Sequence, residues 1–138
     1  HAPHTLAEKA QPYEQAPSGL PLVQHALQCA LERVHAGQLS LETVVERFCH
    51  APAILFGVGQ RGYLREGFHA DLTLVDLDAS QECRREDVLS KCGWSPFEGY
   101  TFRSRVAATW VNGHLAWDGA KLDDSVLGQR LDLGRGRD

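Results

Sequence analysis

The sequence predicts a mixed α/β chain in which helices come first and a small β-rich unit follows. Three observations support this order. Apolar residues recur with a helical period between Leu22 and Val34, the period changes to two after Gly57, and Asn112-Gly113 separates two strand-like runs. With 138 residues and 43% hydrophobic composition, the chain has the make-up of a folded globular unit.

Three helices are predicted in the first half of the chain, after a proline-containing loop over residues 1–19. Residues 22–34 repeat apolar pairs at i, i+3 and i+4, which predicts an amphipathic helix with that stripe buried and Gly37 as its stop. Ser40 has the character of an N-cap and predicts the start of a second helix. A third, short helix is predicted over residues 51–56, where a proline stands in the first turn.

The second half of the chain is predicted to be rich in β-structure. Residues 70–77 alternate in the manner of a strand. Residues 106–111 and 114–117 flank Asn112-Gly113, which predicts a hairpin with a type I′ turn because both central residues of that turn need positive φ. The tail from Gly119 is polar and glycine-rich, and its end is expected to be frayed.

The composition excludes several classes of function. Lys and Arg number 14 against 18 Asp and Glu, a formal net charge of −4, which argues against nucleic acid or an anionic membrane surface as a partner. No apolar run approaches the roughly 18 residues of a membrane span. The four cysteines have neither metal-site nor disulfide spacing, which predicts reduced thiols in a cytoplasmic protein. The chain has no Met and starts at His1, so we interpret it as part of a longer polypeptide.

The densest chemistry lies at the N-terminus, in His1-Ala2-Pro3-His4. Two histidines three residues apart could share a metal ion, but Pro3 disfavours the helical turn that would bring them together, and no third ligand follows nearby. Exposed loop histidines are the alternative interpretation. His25 and His35 are predicted at solvated positions of the first helix, and Arg61 in a solvated turn.

Two narrow motifs and several broader ones run along the chain. The narrow ones are His1-Ala2-Pro3-His4-Thr5 and Ser95-Pro96-Phe97-Glu98-Gly99. Together with broader matches, they give seven segments that resemble one known family: His1–Lys9, Ala16–Leu22, Cys49–Gly57, Arg61-Gly62, Glu66–Leu72, Ser95–Gly99 and Val111–Gly113. This set, which covers the chain to about Gly119, resembles the dihydroorotases of the amidohydrolase superfamily. The narrow motifs favour dihydroorotase over hydantoinase or allantoinase.

The resemblance implies the C-terminal part of a larger (β/α)8-barrel enzyme. Residues 1–57 would supply the last active-site loop and the closing helices of the barrel, and residues 58–138 most of a small β-sandwich domain. The implied enzyme uses one or two zinc ions to interconvert dihydroorotate and N-carbamoyl-L-aspartate in pyrimidine biosynthesis, and family members are commonly homodimers. The metal ligands and the catalytic Asp, which would precede His1, fall outside the chain. The missing N-terminal part is therefore an expected partner, and the isolated chain is predicted to be inactive.

The same resemblance assigns a substrate-binding role to five residues. His4 matches the loop histidine that binds the substrate carboxylate, and Ala16, Pro17, Ser18 and Gly19 match the stretch whose backbone groups contact the same end of the substrate. We refer to these five residues as the predicted clamp. Loops after the last strands of a barrel often bind anions, and a glycine lets backbone N–H groups approach a ligand closely, so the assignment is physically reasonable.

Two alternatives remain open from the sequence. One is a related cyclic amidohydrolase, a hydantoinase or an allantoinase, which would differ in the cyclic amide that it hydrolyses. The other is a non-catalytic dihydroorotase-like subunit that acts as a scaffold, for instance beside aspartate carbamoyltransferase. Residues encoded upstream of His1 would separate the scaffold from the enzyme, because only the enzyme needs the metal ligands and the Asp.

Overall fold

The computed structural model describes residues 4–131 and 133–134. His1, one half of the histidine pair, and the predicted frayed end beyond Gly134 lie outside the described residues. The helical segments are α1 (Leu6–Lys9), a 3₁₀ turn (Val23–His25), α2 (Ala26–His35), α3 (Leu41–Val45), a π-helical turn (Glu46–His50), α4 (Ala51–Leu55) and a second 3₁₀ turn (Arg85–Asp87). The strands are β1 (Leu72–Asp76), β2 (Gln81–Glu82), β3 (Thr101–Phe102), β4 (Arg105–Val111) and β5 (His114–Trp117). The predicted order, helices before strands, is confirmed. The prediction of a loop throughout residues 1–19 is wrong, because the capping box of Thr5 and Glu8 starts the one-turn helix α1 within it.

The helix boundaries follow from local chemistry. The Ser40 hydroxyl accepts a hydrogen bond from the Thr43 N–H at 3.1 Å, which caps α3 as predicted. The π-helical turn joins α3 to α4, and the helical run ends before Gly57, whose φ of +61° suits a glycine. Among the described residues, no helix is both long and apolar enough to cross a membrane.

The β-rich unit is built around the predicted hairpin. Strands β1, β4 and β5 form an antiparallel sheet in the order β1-β4-β5, and β2 pairs with β3 in a second small sheet. The turn between β4 and β5 has φ of +51° at Asn112 and +82° at Gly113, so both central residues have the positive φ expected for a type I′ turn.

A polar network fixes the hairpin turn to the start of β1. The Asp71 carboxylate accepts from the Asn112 N–H at 2.8 Å and from the Arg61 guanidinium, and Arg61 also donates to the Asn112 side-chain oxygen at 2.6 Å. The Arg61 side chain is only 11% exposed. The predicted solvated turn is therefore wrong for Arg61, because its guanidinium is held between two polar partners that are distant in sequence.

A polar stripe, rather than the predicted apolar one, attaches α2 and the 3₁₀ turn before it to the β-rich unit. Its members are Gln24, Gln28, Glu32 and His35. Gln24 bonds the main chain of Asp87 and Leu89, Gln28 bonds Gln81 and Ser104, Glu32 bonds Arg103 and Tyr100, and His35 bonds Ser104. Of the predicted apolar stripe, Leu31 is fully buried, whereas Val23 is 71% exposed. The prediction that the whole apolar stripe is buried is therefore wrong for the residues that the structure describes.

His25 is buried rather than solvated, which corrects the sequence prediction. It is 4% exposed, and its Nε2 lies 3.0 Å from the Sγ of Cys83. Its ring also packs at 5.7 Å, between centroids, from both Phe97 and Phe102. Burial lowers the pKa of His25 and raises that of Cys83, so the pair is neutral at pH 7. His35 is half-buried, with Nε2 2.7 Å from the Ser104 hydroxyl.

Glu32 is expected to make the attachment of α2 sensitive to acid. Desolvation alone would raise its pKa, but hydrogen bonds from the Arg103 backbone and side chain, together with the Arg103 charge, bring the pKa below its usual 4.5. A depressed carboxyl pKa adds stability above the unfolded value and loses it as pH falls through the folded value. Glu32→Gln should therefore lower the unfolding free energy by about 1–2 kcal/mol at pH 7, because hydrogen bonds to a charged group are lost.

Urea unfolding at pH 7 and at pH 3 would measure this effect. The difference between the wild type and Glu32→Gln is expected to shrink at the lower pH, because the stability that comes from a depressed carboxyl pKa is lost as pH falls. Glu82→Gln is a suitable control, because that carboxylate forms an exposed ion pair with Arg84. An equal difference at both pH values would contradict the proposed role of the Glu32 charge.

Candidate functional site

The first segment of the predicted clamp is held at the start of α1. Thr5 caps this helix: its hydroxyl accepts from the Glu8 N–H at 3.3 Å, and the Glu8 carboxylate accepts from the Thr5 N–H at 2.6 Å. The Thr5 N–H is the main reason that the pKa of Glu8 lies below its usual value. His4 immediately precedes this capping box and is half-buried, so its backbone position is set by the helix start.

Lys9, the last residue of α1, connects the two segments of the predicted clamp. Its ammonium donates to the carbonyl oxygen of Pro17 at 2.5 Å and to that of Gly19 at 3.2 Å. Gly19 has φ of +97°, a conformation that favours glycine. The sequence did not single out Lys9, and its helical position alone gives no sign of these acceptors eight and ten residues away.

Trp94 ties the same region to the β-rich unit. Its indole N–H donates to the His4 carbonyl oxygen at 2.7 Å, and the residue is only 7% exposed. The sequence did not indicate the hydrogen bond from Trp94 to His4. A buried indole N–H usually has a hydrogen-bond acceptor, but no sequence pattern indicates which residue supplies it.

The predicted clamp presents both a side chain and main-chain donors. Ala16 and Pro17 are half-buried, whereas Ser18 and Gly19 are exposed. Among the described residues, no protein atom accepts from the N–H of Ser18 or Gly19. Imidazole and backbone N–H groups are both donors suited to an anion such as a carboxylate.

The described residues do not form a metal site. Within residues 4–131 and 133–134, no three His, Cys, Asp or Glu side chains come together in a group that could hold a metal ion. His50 lies in the segment Cys49–Gly57, which resembles the family. Its Nδ1 is 3.2 Å from a Glu46 carboxylate oxygen, and its ring stacks on Tyr63 with 4.2 Å between ring centroids. The four cysteines are free thiols, and burial raises the pKa of Cys29 and Cys49.

Curated sequences similar to this chain are dihydroorotases. The chain is 44% identical over 119 residues to the dihydroorotase of Halobacterium salinarum, a match that covers 86% of this chain and 28% of the relative. It is 38% identical over 122 residues to the dihydroorotase of Staphylococcus aureus and 34% identical over 124 residues to that of Methanothermobacter thermautotrophicus. The chain belongs to the dihydroorotase family. It spans 28% to 29% of the length of these dihydroorotases.

Solved structures similar to this dihydroorotase-family chain are hydantoinases. An L-hydantoinase from Arthrobacter aurescens has a TM-score of 0.79 and 32% identity, with 86% of this chain and 27% of that chain covered. A D-hydantoinase from a Thermus species has a TM-score of 0.82 at 21% identity, over 91% of this chain and 29% of that chain, and shows the shared fold alone. No family model matches the chain. The resemblance to dihydroorotases is thus confirmed, and the mixed helix and strand fold is that of part of an amidohydrolase.

Proposed function

We propose that this chain acts as the C-terminal part of a dihydroorotase, a longer enzyme that interconverts dihydroorotate and N-carbamoyl-L-aspartate in pyrimidine biosynthesis. The observation that carries the proposal is the 44% identity to a dihydroorotase over 119 residues. Hydrogen bonds from Trp94 to the His4 carbonyl, and from Lys9 to the Pro17 and Gly19 carbonyls, support a structured clamp region.

In this proposal the two halves of the chain have different places in the enzyme. Residues 1–57 complete the (β/α)8 barrel with its last active-site loop and closing helices, and residues 58–138 form most of the small β-sandwich. The element order supports the division, because four α-helices precede the sheet β1-β4-β5 along the described chain. The likeness to hydantoinases supports it as well.

The proposed role of the chain is to bind the carboxylate end of the substrate. The His4 imidazole would donate one hydrogen bond to a substrate carboxylate, and N–H groups of the Ala16–Gly19 segment would donate others. Such charge-assisted hydrogen bonds contribute about 1.5–3 kcal/mol each.

The metal chemistry is assigned to the rest of the enzyme. The described residues do not fit a metal ion, so one or two zinc ions, their ligands and the catalytic Asp would belong to the N-terminal part of the polypeptide. A homodimer in the cytoplasm is the assembly and location that we propose for the complete enzyme, by analogy with the family.

A hydantoinase is the second candidate, and one specific observation favours it. The L-hydantoinase from Arthrobacter aurescens shares 32% identity as well as the fold with this chain. Dihydroorotate and hydantoin rings both contain a cyclic amide, but dihydroorotate also carries a carboxylate. A clamp of an imidazole and free N–H groups is more useful to the substrate that has this carboxylate.

Turnover measurements test the proposal directly. The complete polypeptide that carries this chain is expected to convert dihydroorotate in preference to hydantoin and allantoin. The isolated chain of 138 residues is expected to convert none of them and to bind no stoichiometric zinc. Hydantoin or allantoin turnover without dihydroorotate turnover would favour the alternative enzymes, and a complete polypeptide inactive with all three would favour a scaffold subunit. Zinc with turnover in the isolated chain would contradict its proposed role as an incomplete part.

A further inference from the structure

We propose that Lys9 and Trp94 are positioning residues for the carboxylate end of the active site. The inference rests on the proposed dihydroorotase function and deepens it, because it states what holds the predicted clamp in a binding geometry. Neither side chain is in the clamp itself. Lys9 holds its second segment from α1, and Trp94 holds its first segment from the β-rich unit.

Lys9 sets the distance between the two clamp segments. The helix α1 is one turn long, begins directly after His4 and Thr5, and ends at Lys9. The capping box of Thr5 and Glu8 stabilises that turn, so the Lys9 ammonium extends from a defined point. Because the ammonium bonds two carbonyl oxygens of one loop, it fixes that loop relative to the residue that precedes the helix. An apolar side chain of similar length, such as that of Met, would supply neither bond.

The Lys9 contacts also set the direction of a main-chain donor. The peptide group is planar, and the described backbone has no cis peptide bond. In a trans peptide, the C=O of one residue and the N–H of the next point to opposite sides. The Pro17 carbonyl faces Lys9, so the Ser18 N–H of the same peptide faces away from Lys9. Lys9 thereby keeps an N–H of the predicted clamp free to meet a ligand.

Trp94 fixes the other segment from a distance of 90 residues in sequence. Its indole is buried and has only two side-chain torsions, so it is a rigid donor. The 2.7 Å bond holds the His4 carbonyl, and with it the backbone from which the His4 imidazole extends. Substrate affinity should therefore depend on a residue of the β-rich unit that does not touch the substrate.

The experiment compares Trp94→Phe and Lys9→Met with matched controls in the complete enzyme. Trp94→Phe removes the indole N–H and keeps an aromatic ring. Trp117→Phe is its control, because the Trp117 N–H donates to the Val106 carbonyl at 3.2 Å within the sheet. Lys9→Arg keeps the positive charge and several donors, and is expected to restore part of what Lys9→Met loses.

The expected result is a change in binding rather than in turnover. Losing the one bond of Trp94 or the two bonds of Lys9 should raise KM for dihydroorotate about tenfold while kcat stays within about twofold. Trp117→Phe should leave both constants near the wild-type values. Hydrogen exchange of the segment 4–20 gives a second readout that needs no activity, and should be faster in Trp94→Phe and Lys9→Met than in Trp117→Phe.

The outcomes separate this inference from the proposed function. A wild-type enzyme that does not convert dihydroorotate overturns the proposed function. An active wild type with unchanged KM and unchanged exchange in both variants overturns the positioning roles alone. If Trp94→Phe does not fold, the KM and hydrogen exchange of Lys9→Met and Lys9→Arg still test whether the clamp needs a positioning residue. A kcat loss as large as the KM increase, without altered exchange, also contradicts positioning.

Discussion

Replacement of His4 by Ala in the complete enzyme is expected to raise KM for dihydroorotate by about ten- to hundredfold. In the proposed function, the substitution removes a charge-assisted hydrogen bond to the substrate carboxylate, which would contribute about 1.5–3 kcal/mol. The carboxylate does not react, so the proposed bond would be made in both the bound substrate and the transition state, and kcat should change much less. Steady-state kinetics with dihydroorotate measures both constants.

Two further variants make the His4 result specific. His69→Ala removes an exposed imidazole outside the clamp, and should leave KM unchanged. His4→Asn keeps a side-chain N–H donor and is expected to fall between the wild type and His4→Ala. The main-chain bond from Trp94 to the His4 carbonyl is retained in both His4 variants, so loop position should be preserved. Unchanged KM and kcat/KM in His4→Ala would refute the role as a carboxylate ligand.

Local features of the fold could be predicted from the sequence because they depend on neighbouring residues. Ser40 caps α3 through a bond to Thr43, three residues along the chain, and Asn112-Gly113 forms its turn through the φ preferences of those two residues. Helical and strand periods likewise repeat over a few residues. The resemblance to dihydroorotases was predictable for a different reason, since it was carried by short motifs.

The contacts that assemble the two halves could not be predicted, because their partners are far apart in sequence. Gln28 bonds the main chain of Ser104 across 76 positions, and Trp94 bonds His4 across 90. An apolar stripe at helical spacing suggested which face of α2 is buried, but buried glutamine and histidine side chains turned out to line the contact. Polar residues can be buried wherever hydrogen-bond partners exist, and a period does not reveal those partners.

The candidate site could likewise be predicted only in part from the sequence. His4 and Ala16–Gly19 were assigned from motifs, and their binding role stays a prediction. Their supports, Lys9 and Trp94, follow from geometry alone. Lys9 reaches its carbonyl partners within ten residues, yet nothing in the composition of that loop distinguishes a lysine that bonds backbone oxygens from one that is solvated. A structure was therefore needed to find what holds the clamp.

Gly62→Ala is expected to be among the most destabilising single substitutions in the chain. A Cβ at this position would lie 2.5 Å from the Ala53 Cβ and 2.6 Å from the Cys49 carbonyl oxygen, both too close for any real contact. The turn after α4 approaches the helical run so closely that no side chain fits there. The residue also has φ of +79°, which costs an L-amino acid about 1–2 kcal/mol. Overpacking adds about 1–3 kcal/mol, since backbone atoms have to move.

Gly67→Ala separates the two contributions. Gly67 has nearly the same φ, +80°, but nothing lies within 4 Å of a Cβ built on it. The backbone cost is therefore shared by the two variants, and the difference between their unfolding free energies reports the steric clash alone. Urea denaturation should show Gly62→Ala less stable than Gly67→Ala by about 1–3 kcal/mol. Equal losses would mean that the segment moves away from Cys49 and Ala53 at no cost, and that the close packing of this turn on α4 does not contribute to stability.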